Sequence, residues 1–343
     1  ERFLGTFDQI SRLSLDIDRN YGNKRVVTDF PLEHDGSKWT GTINKLIVGF
    51  DYTITGHAYK CSDCGDNYTV STFAGNAGVS GSNDGQGTTA SFNNSVGVAL
   101  DSNGNVYVGD TSNQLVRKID SSGNVTTLAG QKGVSGSADG QGTNASFGSL
   151  RGVAVDSSFN VYVADRNNHI IRVIDSSGNV TTLAGEAGIS GSTNGQGTTA
   201  KFNKPNDVAV DSLGNVYVAD KENHLIRKID SGGNVTTLAG QAGVSGSTNG
   251  QGTTAKFNSP YGVAVDSSGN VYVSDKGNHL IRKINYSGNV TTLAGLDGVS
   301  GSSDGNGTNA RFNSPYGVAV DSLGNVYVTD KDNHLIRKID ASG

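Results

Sequence analysis

An internal repeat of 55 residues runs through most of the chain. The segment Gly-Val-Ala-Leu-Asp101 returns in near-identical form four times, with its last residue at Asp156, Asp211, Asp266 and Asp321. Residues 206–260 and 261–315 are identical at 40 of 55 positions without a gap. Such a period indicates that one supersecondary unit is duplicated, and that neighbouring copies bury each other's apolar faces.

Each repeat contains four short segments that favour the β conformation. In the third copy they are Asp207–Asp211, Val216–Asp220, His224–Asp230 and Val235–Gly240. Valine, isoleucine, threonine and tyrosine favour strands, while the Gly and Asn pairs between them favour tight turns. The strands are apolar at nearly every position, which is typical of sheets covered on both faces. Four antiparallel strands per repeat predict the blade of a β-propeller.

The two ends of the repeat array favour a ring over a solenoid, which would also stack such units. The last copy reaches Gly343 where its fourth strand is due, and residues 68–75 lie one period before the fourth strand of the first copy. We therefore expect an all-β fold with a five-bladed propeller over residues 67–343, closed by strand 68–75 completing the last blade. A small β-rich region would occupy residues 1–66. A sixth blade would have to come from residues before 67, which contain no copy of the unit.

Four copies carry an Asn-His-Leu or Asn-His-Ile motif after a Val-Tyr-Val-x-Asp strand. The histidines are His169, His224, His279 and His334, and the first copy has Asn113-Gln114-Leu instead. These motifs resemble the NHL-repeat propellers over roughly residues 68–340. The resemblance implies a propeller fold and, commonly, a role in binding a ligand or a protein. The long unit, with its inserted Gly-Val-Ser-Gly-Ser segment, is similar to bacterial secreted or surface NHL proteins.

The residues that recur in every blade are interpreted as structural. The four histidines would lie on a circle, so we expect side-chain to backbone hydrogen bonds from them and no metal site. Arg117 and its equivalents are expected to clamp neighbouring blades, and Phe92 and its equivalents to fill the space between blades. An active site needs unlike acids and bases, and the near-identical blades offer none. We therefore expect no catalytic residue and no cofactor-binding residue.

The inserted loops carry an Asp-Gly-x-Gly or Asn-Gly-x-Gly sequence, as at Asp84–Gly87. Calcium favours oxygen-rich loops with clustered carboxylates. Each loop offers a single Asp or Asn, and the glycines suit tight turns. Turns are the favoured interpretation and Ca²⁺ a weak alternative, so no cofactor or metal is expected.

Residues 1–66 differ in composition from the repeats. They contain Cys61 and Cys64 as a single Cys-x-x-Cys, for which a local disulfide is favoured over free thiols or metal chemistry. An extended segment could add to an open sheet edge of a neighbouring subunit, or the region could cap its own propeller. The candidate assembly residues are Phe3, Leu4, Phe7, Ile10, Leu13, Leu15 and Ile17.

Five Asn-x-Thr sequons stand near the chain's hairpins, and they could carry glycans in a eukaryotic secreted protein. They are Asn67, Asn124, Asn179, Asn234 and Asn289. For four of them the favoured interpretation is a Gly-Asn hairpin followed by a threonine that favours strands.

Composition narrows the function classes. The net charge of −5 argues against nucleic-acid binding, and no apolar run is long enough to span a membrane. We expect a non-catalytic binding or assembly scaffold that is extracellular or at the cell surface. Its partners would be proteins, including further copies of itself in an oligomer or filament, and glycans are a further option. The alternatives are a metal-dependent propeller enzyme, lyase- or lactonase-like, and an RNA-binding NHL domain.

Overall fold

A computed structural model describes residues 70–341 and, before them, the backbone of five strands. The chain divides into two compact units, Glu1–Ser71 and Thr72–Gly343. The strands of the first unit are β1 (Ile10–Arg19), β2 (Arg25–Phe30), β3 (Glu33–His34), β4 (Trp39–Thr40) and β5 (Tyr52–Lys60). β1 lies between β2 and β5 in an antiparallel sheet, and β3 pairs with β4.

Each of the first four repeats folds as one antiparallel sheet whose four main strands follow one another in chain order. In blade 1 they are β7 (Ser95–Leu100), β8 (Val106–Asp110), β9 (Leu115–Ile119) and β10 (Asn124–Ala129), and β6 (Gly85–Gln86) pairs with the outer edge of β10. The innermost strands of consecutive blades, such as β7 and its equivalents, lie side by side. They therefore surround the axis, as in a propeller.

The following blades repeat this order. Blade 2 has β11 to β15 (Gly140–Gln141, Leu150–Val155, Val161–Asp165, Ile170–Ile174, Asn179–Ala184), blade 3 has β16 to β20 (Gly195–Gln196, Pro205–Val210, Val216–Asp220, Leu225–Ile229, Asn234–Ala239), blade 4 has β21 to β25 (Gly250–Gln251, Pro260–Val265, Val271–Asp275, Leu280–Ile284, Asn289–Ala294), and blade 5 has β26 to β28 (Pro315–Val320, Val326–Asp330, Leu335–Ile339). Short 3₁₀ turns lie at Gly87–Thr89, Thr111–Asn113, Gly142–Asn144, Arg166–Asn168, Gly197–Thr199, Lys221–Asn223, Gly252–Thr254, Lys276–Asn278, Gly307–Asn309 and Lys331–Asn333.

Most hairpins between strands have an Asp and a Gly at fixed positions; Phe159, with φ +65°, replaces the glycine in one hairpin of blade 2, and Asn285 replaces the Asp in one of blade 4. Between β7 and β8, the Asp101 carboxylate accepts the backbone N–H groups of Asn103 and Asn105, both at 2.9 Å. Gly104 has φ +79°, a backbone conformation that glycine adopts without steric cost. This local chemistry explains why the Asp-x-x-Gly-Asn pattern recurs with the period of the repeat.

The core lies between the blades. Phe147 of blade 2 is fully buried against Val116 and Ala129 of blade 1 and Val161 of its own blade. The equivalent Phe202, Phe257 and Phe312 are likewise buried. Aromatic side chains bury large apolar areas, and the predicted role between blades is confirmed for these four phenylalanines. Phe92 is partly buried, against the apolar cluster of blade 1.

A buried arginine ties each blade to the loop that enters it. In blade 3, Arg227 pairs with Asp220 at 3.0 Å and also contacts the Asn194 side chain of the inserted loop at 2.7 Å. The guanidinium lies 5.2 Å from the centre of the Phe202 ring. The expectation that this arginine clamps neighbouring blades is wrong, because its partners belong to its own sheet and its own entering loop.

The predicted all-β, five-bladed architecture is confirmed, but the predicted closing strand is not observed. Residues 70–75 form no strand, and residues 68–69 lie outside the described part. Blade 5 is a three-stranded sheet in which β28 pairs with β27 and with no other described strand. The physical reason is that residues 72–75 contact blade 1, where Gly75 N–H donates to the Gly87 carbonyl at 3.0 Å.

Only some of the residues named in the N-terminal predictions lie in the part of the chain that the structure describes. Phe3, Leu4, Phe7, Cys61, Cys64 and Asn67 lie outside the described residues. Ile10, Leu13, Leu15 and Ile17 lie in β1, which is hydrogen-bonded on both sides. β1 therefore has no free edge in this sheet, and β2 and β5 are its outer strands. Assembly through the N-terminal residues stays a prediction.

Candidate functional site

At the axis of the propeller, the five blades present different side chains. Two adjacent positions on the innermost strands vary from blade to blade: first Val96, Arg151, Asn206, Tyr261 and Tyr316, then Gly97, Gly152, Asp207, Gly262 and Gly317. Most of these residues line a cleft of about 430 Å³. Among these ten positions Asp207 is the single acidic residue.

Asp207 is the carboxylate that replaces glycine on the channel wall. Its two oxygens accept the backbone N–H groups of Val208 and, in the next blade, Val263, each at 3.0 Å. It packs so tightly against Gly152 that a Cβ at that position would overlap the carboxylate. Burial raises the pKa of Asp207 to about 7, although both N–H groups act to lower it. This carboxylate can exchange a proton near neutral pH.

Two tyrosines and two lysines form an aromatic, cationic patch beside it. The rings of Tyr261 and Tyr316 lie with centroids 3.9 Å apart, at an interplanar angle of 32°. Lys276 Nζ lies 5.4 Å and 4.9 Å from the two ring centres, and Lys331 Nζ lies 5.2 Å from that of Tyr316. These distances are those of cation–π contacts.

The two tyrosine hydroxyls differ in acidity. Burial and the adjacent Tyr316 hydroxyl raise the pKa of Tyr261 to about 12. At Tyr316 burial acts in the same direction, but the Tyr261 hydroxyl and the positive charges of Lys276, Lys331 and Arg151 outweigh it and lower the pKa. The patch therefore favours negative charge at Tyr316, and by the same physics it favours an anionic group from outside.

Six cations lie near one another at one mouth of the channel, on blades 2 to 5. Four of them begin the 3₁₀ turn that follows the second strand of a blade: Arg166, Lys221, Lys276 and Lys331. Arg151 and Lys204 lie next to these and complete the set of six. Two carboxylates lie among them, Glu222 bonded to Lys221 at 2.6 Å and Asp332 bonded to Lys331 at 2.7 Å. We call these six cations, with Tyr261 and Tyr316, the basic mouth.

The repeated histidines lie on the same side of the blades but serve the fold. His224 ends its 3₁₀ turn in the left-handed conformation, and its Nδ1 accepts the backbone N–H of Ser259 in the next blade at 3.0 Å. His169 and His279 accept equivalent bonds from Lys204 and Ser314. Burial lowers the pKa of His224, which keeps Nδ1 available as an acceptor. The predicted side-chain to backbone role is confirmed for these three.

The Asp or Asn side-chain oxygens of the inserted loops contact the buried arginine of the same blade. Asp84, in the first Asp-Gly-x-Gly loop, contacts Arg117 at 2.6 Å and accepts the N–H of Thr127 at 3.0 Å. Within residues 70–341 no three His, Cys, Asp or Glu side chains are grouped so as to hold a metal ion. Calcium binding at these loops would have to compete with the guanidinium. The sequons Asn124, Asn179, Asn234 and Asn289 each begin an outermost strand.

Sequence reasoning missed the basic mouth because it followed the residues that repeat. The informative positions are those at which the repeats disagree, such as Arg151 against Tyr261. Cations spread over four repeats form no basic stripe along the chain, but the ring brings them together. No helix among the described residues is long and apolar enough to cross a membrane.

Comparison with known proteins shows which repeat family these repeats match. The profile of the NHL repeat matches residues 92–119, 202–229, 257–284 and 312–339. The protein SUPPRESSOR OF QUENCHING 1, chloroplastic, of Arabidopsis thaliana is 32% identical over 62% of this chain and 27% of its own length. NHL repeat-containing protein 2 of Homo sapiens is 40% identical over 28% of this chain and 14% of its own. The chain thus spans about a quarter or less of these two relatives.

Solved structures show the same fold at low identity. A structural genomics protein of unknown function from Bacteroides thetaiotaomicron has a TM-score of 0.50 and 22% identity, with 96% of this chain and 90% of that chain covered. A gluconolactonase from Xanthomonas campestris has a TM-score of 0.50 and 16% identity, with 73% of each chain covered. At such identities the likeness concerns the fold alone.

Proposed function

This chain is an NHL-repeat β-propeller protein, and from that premise we propose that it is a non-catalytic scaffold that associates with further copies of itself. The observation that supports the proposal is the charge distribution. The chain as a whole carries a net charge of −5, yet six cations lie at one channel mouth. Outside these six cations, acidic side chains outnumber basic ones in the chain, and we infer that exposed carboxylates of one copy meet the basic mouth of another.

The geometry of the mouth suits a protein surface. Lysines over tyrosine rings leave aromatic edges and ammonium groups side by side, and tyrosine and arginine are enriched where proteins bind one another. Near-identical blades add weak contacts through effective concentration. The proposal retains the extracellular or cell-surface setting expected from the sequence, with glycans at the sequons as an option. It moves the self-association from β1 to the basic mouth, and β2 and β5 remain sheet edges for further contacts.

The test compares the size of the full chain with that of a neutralised variant. Lys276→Gln with Lys331→Gln removes two charges from the mouth, whereas Lys228→Gln with Lys283→Gln removes two charges near the opposite ends of blades 3 and 4. We expect light scattering and electron microscopy to show oligomers of the wild type and of the control variant at low salt. The mouth variant should be monomeric, and about 0.5 M NaCl should dissociate the wild type because salt screens exposed charges. A wild type that is monomeric at low salt would overturn the proposal, as would a mouth variant that assembles like the control.

A propeller enzyme is the second candidate, and Asp207 is the observation that favours it. A carboxylate with a pKa of about 7 in a cleft is suited to general acid–base work. The test is hydrolysis of a sugar lactone, with and without added divalent metal, by the wild type and by Asp207→Asn. Turnover that the substitution abolishes would support an enzyme, and a background rate in both proteins would count against it.

A further inference from the structure

The hairpins of a blade lie at the end of its sheet opposite the basic mouth. In blade 3, Val210, Val216, Ile229 and Val235 pair in one row across the four main strands, and both hairpins adjoin this row. The 3₁₀ turn that begins at Lys221 lies at the other end of the same strands. We call the surface formed by these hairpins the hairpin face; its residues are 101–105, 120–124, 156–160, 175–179, 211–215, 230–234, 266–270, 285–289, 321–325 and 340–341.

The hairpin face is acidic. Burial acts to raise the pKa of Asp211, but hydrogen bonds from the Asn215 side chain and N–H and from the Tyr217 hydroxyl outweigh it and lower the pKa. The Asn179 N–H lowers the pKa of Asp175 in the other hairpin position. Carboxylates held in this way are ionised at neutral pH. The face carries nine such aspartates, Asp101, Asp120, Asp156, Asp175, Asp211, Asp230, Asp266, Asp321 and Asp340, and four lysines of the third strands lie beside them, Lys118, Lys228, Lys283 and Lys338.

Three large apolar side chains are exposed among these carboxylates. Leu213 and Leu323 are 77% and 78% exposed at the same hairpin position of blades 3 and 5, and Tyr286 is 83% exposed in a hairpin of blade 4. The remaining blades have asparagine or serine at the leucine position. Exposed apolar side chains on three consecutive blades, with charged residues around them, match the composition of a surface that another protein covers.

The basic mouth has the complementary composition on the same three blades. Lys221 belongs to blade 3, Tyr261 and Lys276 to blade 4, and Tyr316 and Lys331 to blade 5. Aromatic and cationic groups at one end of these blades thus correspond to apolar and anionic groups at the other end. A two-fold contact of either surface with itself would bring like charges together, which is unfavourable. The two unlike surfaces therefore favour a heterologous contact, in which one copy offers its mouth and the other its hairpin face.

We propose that the hairpin face of one copy receives the basic mouth of the next, so that the chains associate head to tail. This inference rests on the self-association described under the proposed function and assigns the second surface of that contact. The carboxylates of the hairpin face bind the cations of the mouth, and Leu213, Tyr286 and Leu323 pack against the partly exposed rings of Tyr261 and Tyr316. Because each copy has one mouth and one hairpin face, association continues from copy to copy unless the rotation between copies closes it into a ring.

The test uses two variants of the full chain, each of which lacks one surface. The mouth variant is Lys276→Gln with Lys331→Gln, and the hairpin variant is Leu213→Lys with Leu323→Lys, which leaves every aspartate and glycine of the hairpins in place. We expect light scattering at low salt to show that each variant alone needs at least about tenfold more protein than the wild type to assemble. An equimolar mixture should form dimers and nothing larger, because the intact mouth of one variant binds the intact hairpin face of the other and neither end of the dimer can bind further.

The matched control is Ile189→Lys with Val299→Lys, which makes the same change at two inserted-loop side chains that are each 43% exposed, and it should assemble like the wild type. Circular dichroism checks that each variant is folded. A hairpin variant that assembles like this control, beside a monomeric mouth variant, would overturn the head-to-tail contact and leave self-association through the mouth standing. Dimers of the hairpin variant alone would show that two mouths meet, and a mixture without dimers would also contradict the assignment. A wild type that is monomeric would overturn this inference together with the proposed function.

Discussion

At the scale of single residues, the molecule depends on charges that are buried in pairs. Arg227 is completely buried and contacts Asp220 at 3.0 Å, the Lys201 carbonyl at 2.9 Å and Asn194 at 2.7 Å. Burial raises the pKa of Asp220 to about 6 in spite of the arginine. Burying such a pair costs desolvation free energy, but the pair holds the entering loop on the sheet. Loss of one partner leaves the other charge buried alone.

Arg227→Met should destabilise the propeller by about 3–5 kcal/mol, because the Asp220 carboxylate would remain buried without its partner. Urea denaturation followed by circular dichroism measures the loss. Asp220→Asn in the same chain should restore part of it, since the uncompensated charge is then removed. A loss below about 1 kcal/mol for Arg227→Met would show that the pair contributes little to stability.

At the scale of elements, most of a blade could be predicted from the sequence. The predicted strand Val216–Asp220 agrees with β18 to the residue, and Val235–Gly240 is shifted by one residue from β20. Local turn chemistry and strand preference determine these elements. The contacts between blades were harder to predict from the sequence. The acceptor at His224 and the donor at Ser259 are 35 residues apart and meet only when two sheets stack.

His279→Ala should cost about 1–3 kcal/mol, because the Ser314 N–H loses its acceptor at a junction between blades. His334→Ala is the matched control: it has the same left-handed backbone, with φ 58° at both positions, and no described partner across a junction. The difference between the two variants in urea midpoint isolates the bond from the conformational effect of alanine. Equal losses would contradict the assigned role of the histidine.

At the scale of the whole molecule, the arrangement around the axis decides the chemistry. Asp207 faces the channel between the innermost strands of blades 2 and 4, where burial raises its pKa from 3.8 to about 7. A carboxyl whose pKa is higher in the folded than in the unfolded chain binds its proton more tightly when folded. Its contribution to stability is therefore full below the unfolded pKa and is lost as the pH rises towards 7.

Asp207→Asn should flatten the decline of stability between about pH 4 and pH 7, where the shift of about three pKa units corresponds to at most ~4 kcal/mol. Melting temperatures of both proteins across this range provide the measurement. The buried Asp165, Asp220 and Asp275 titrate in both proteins, so the difference reports Asp207. Parallel pH profiles would show that its pKa is the same in the folded and unfolded chains.

The sequence by itself determined the blade, its turns and the phenylalanine between blades, because those contacts are local or recur with every 55 residues. Only the tertiary structure decided which face of the ring remains open and that Arg151, Lys276 and Tyr316 meet at one channel mouth. The 55-residue period would be the same in a ring with any number of blades. The number of blades around the axis depends on the small rotation between stacked sheets, which side-chain packing sets and which no single repeat encodes.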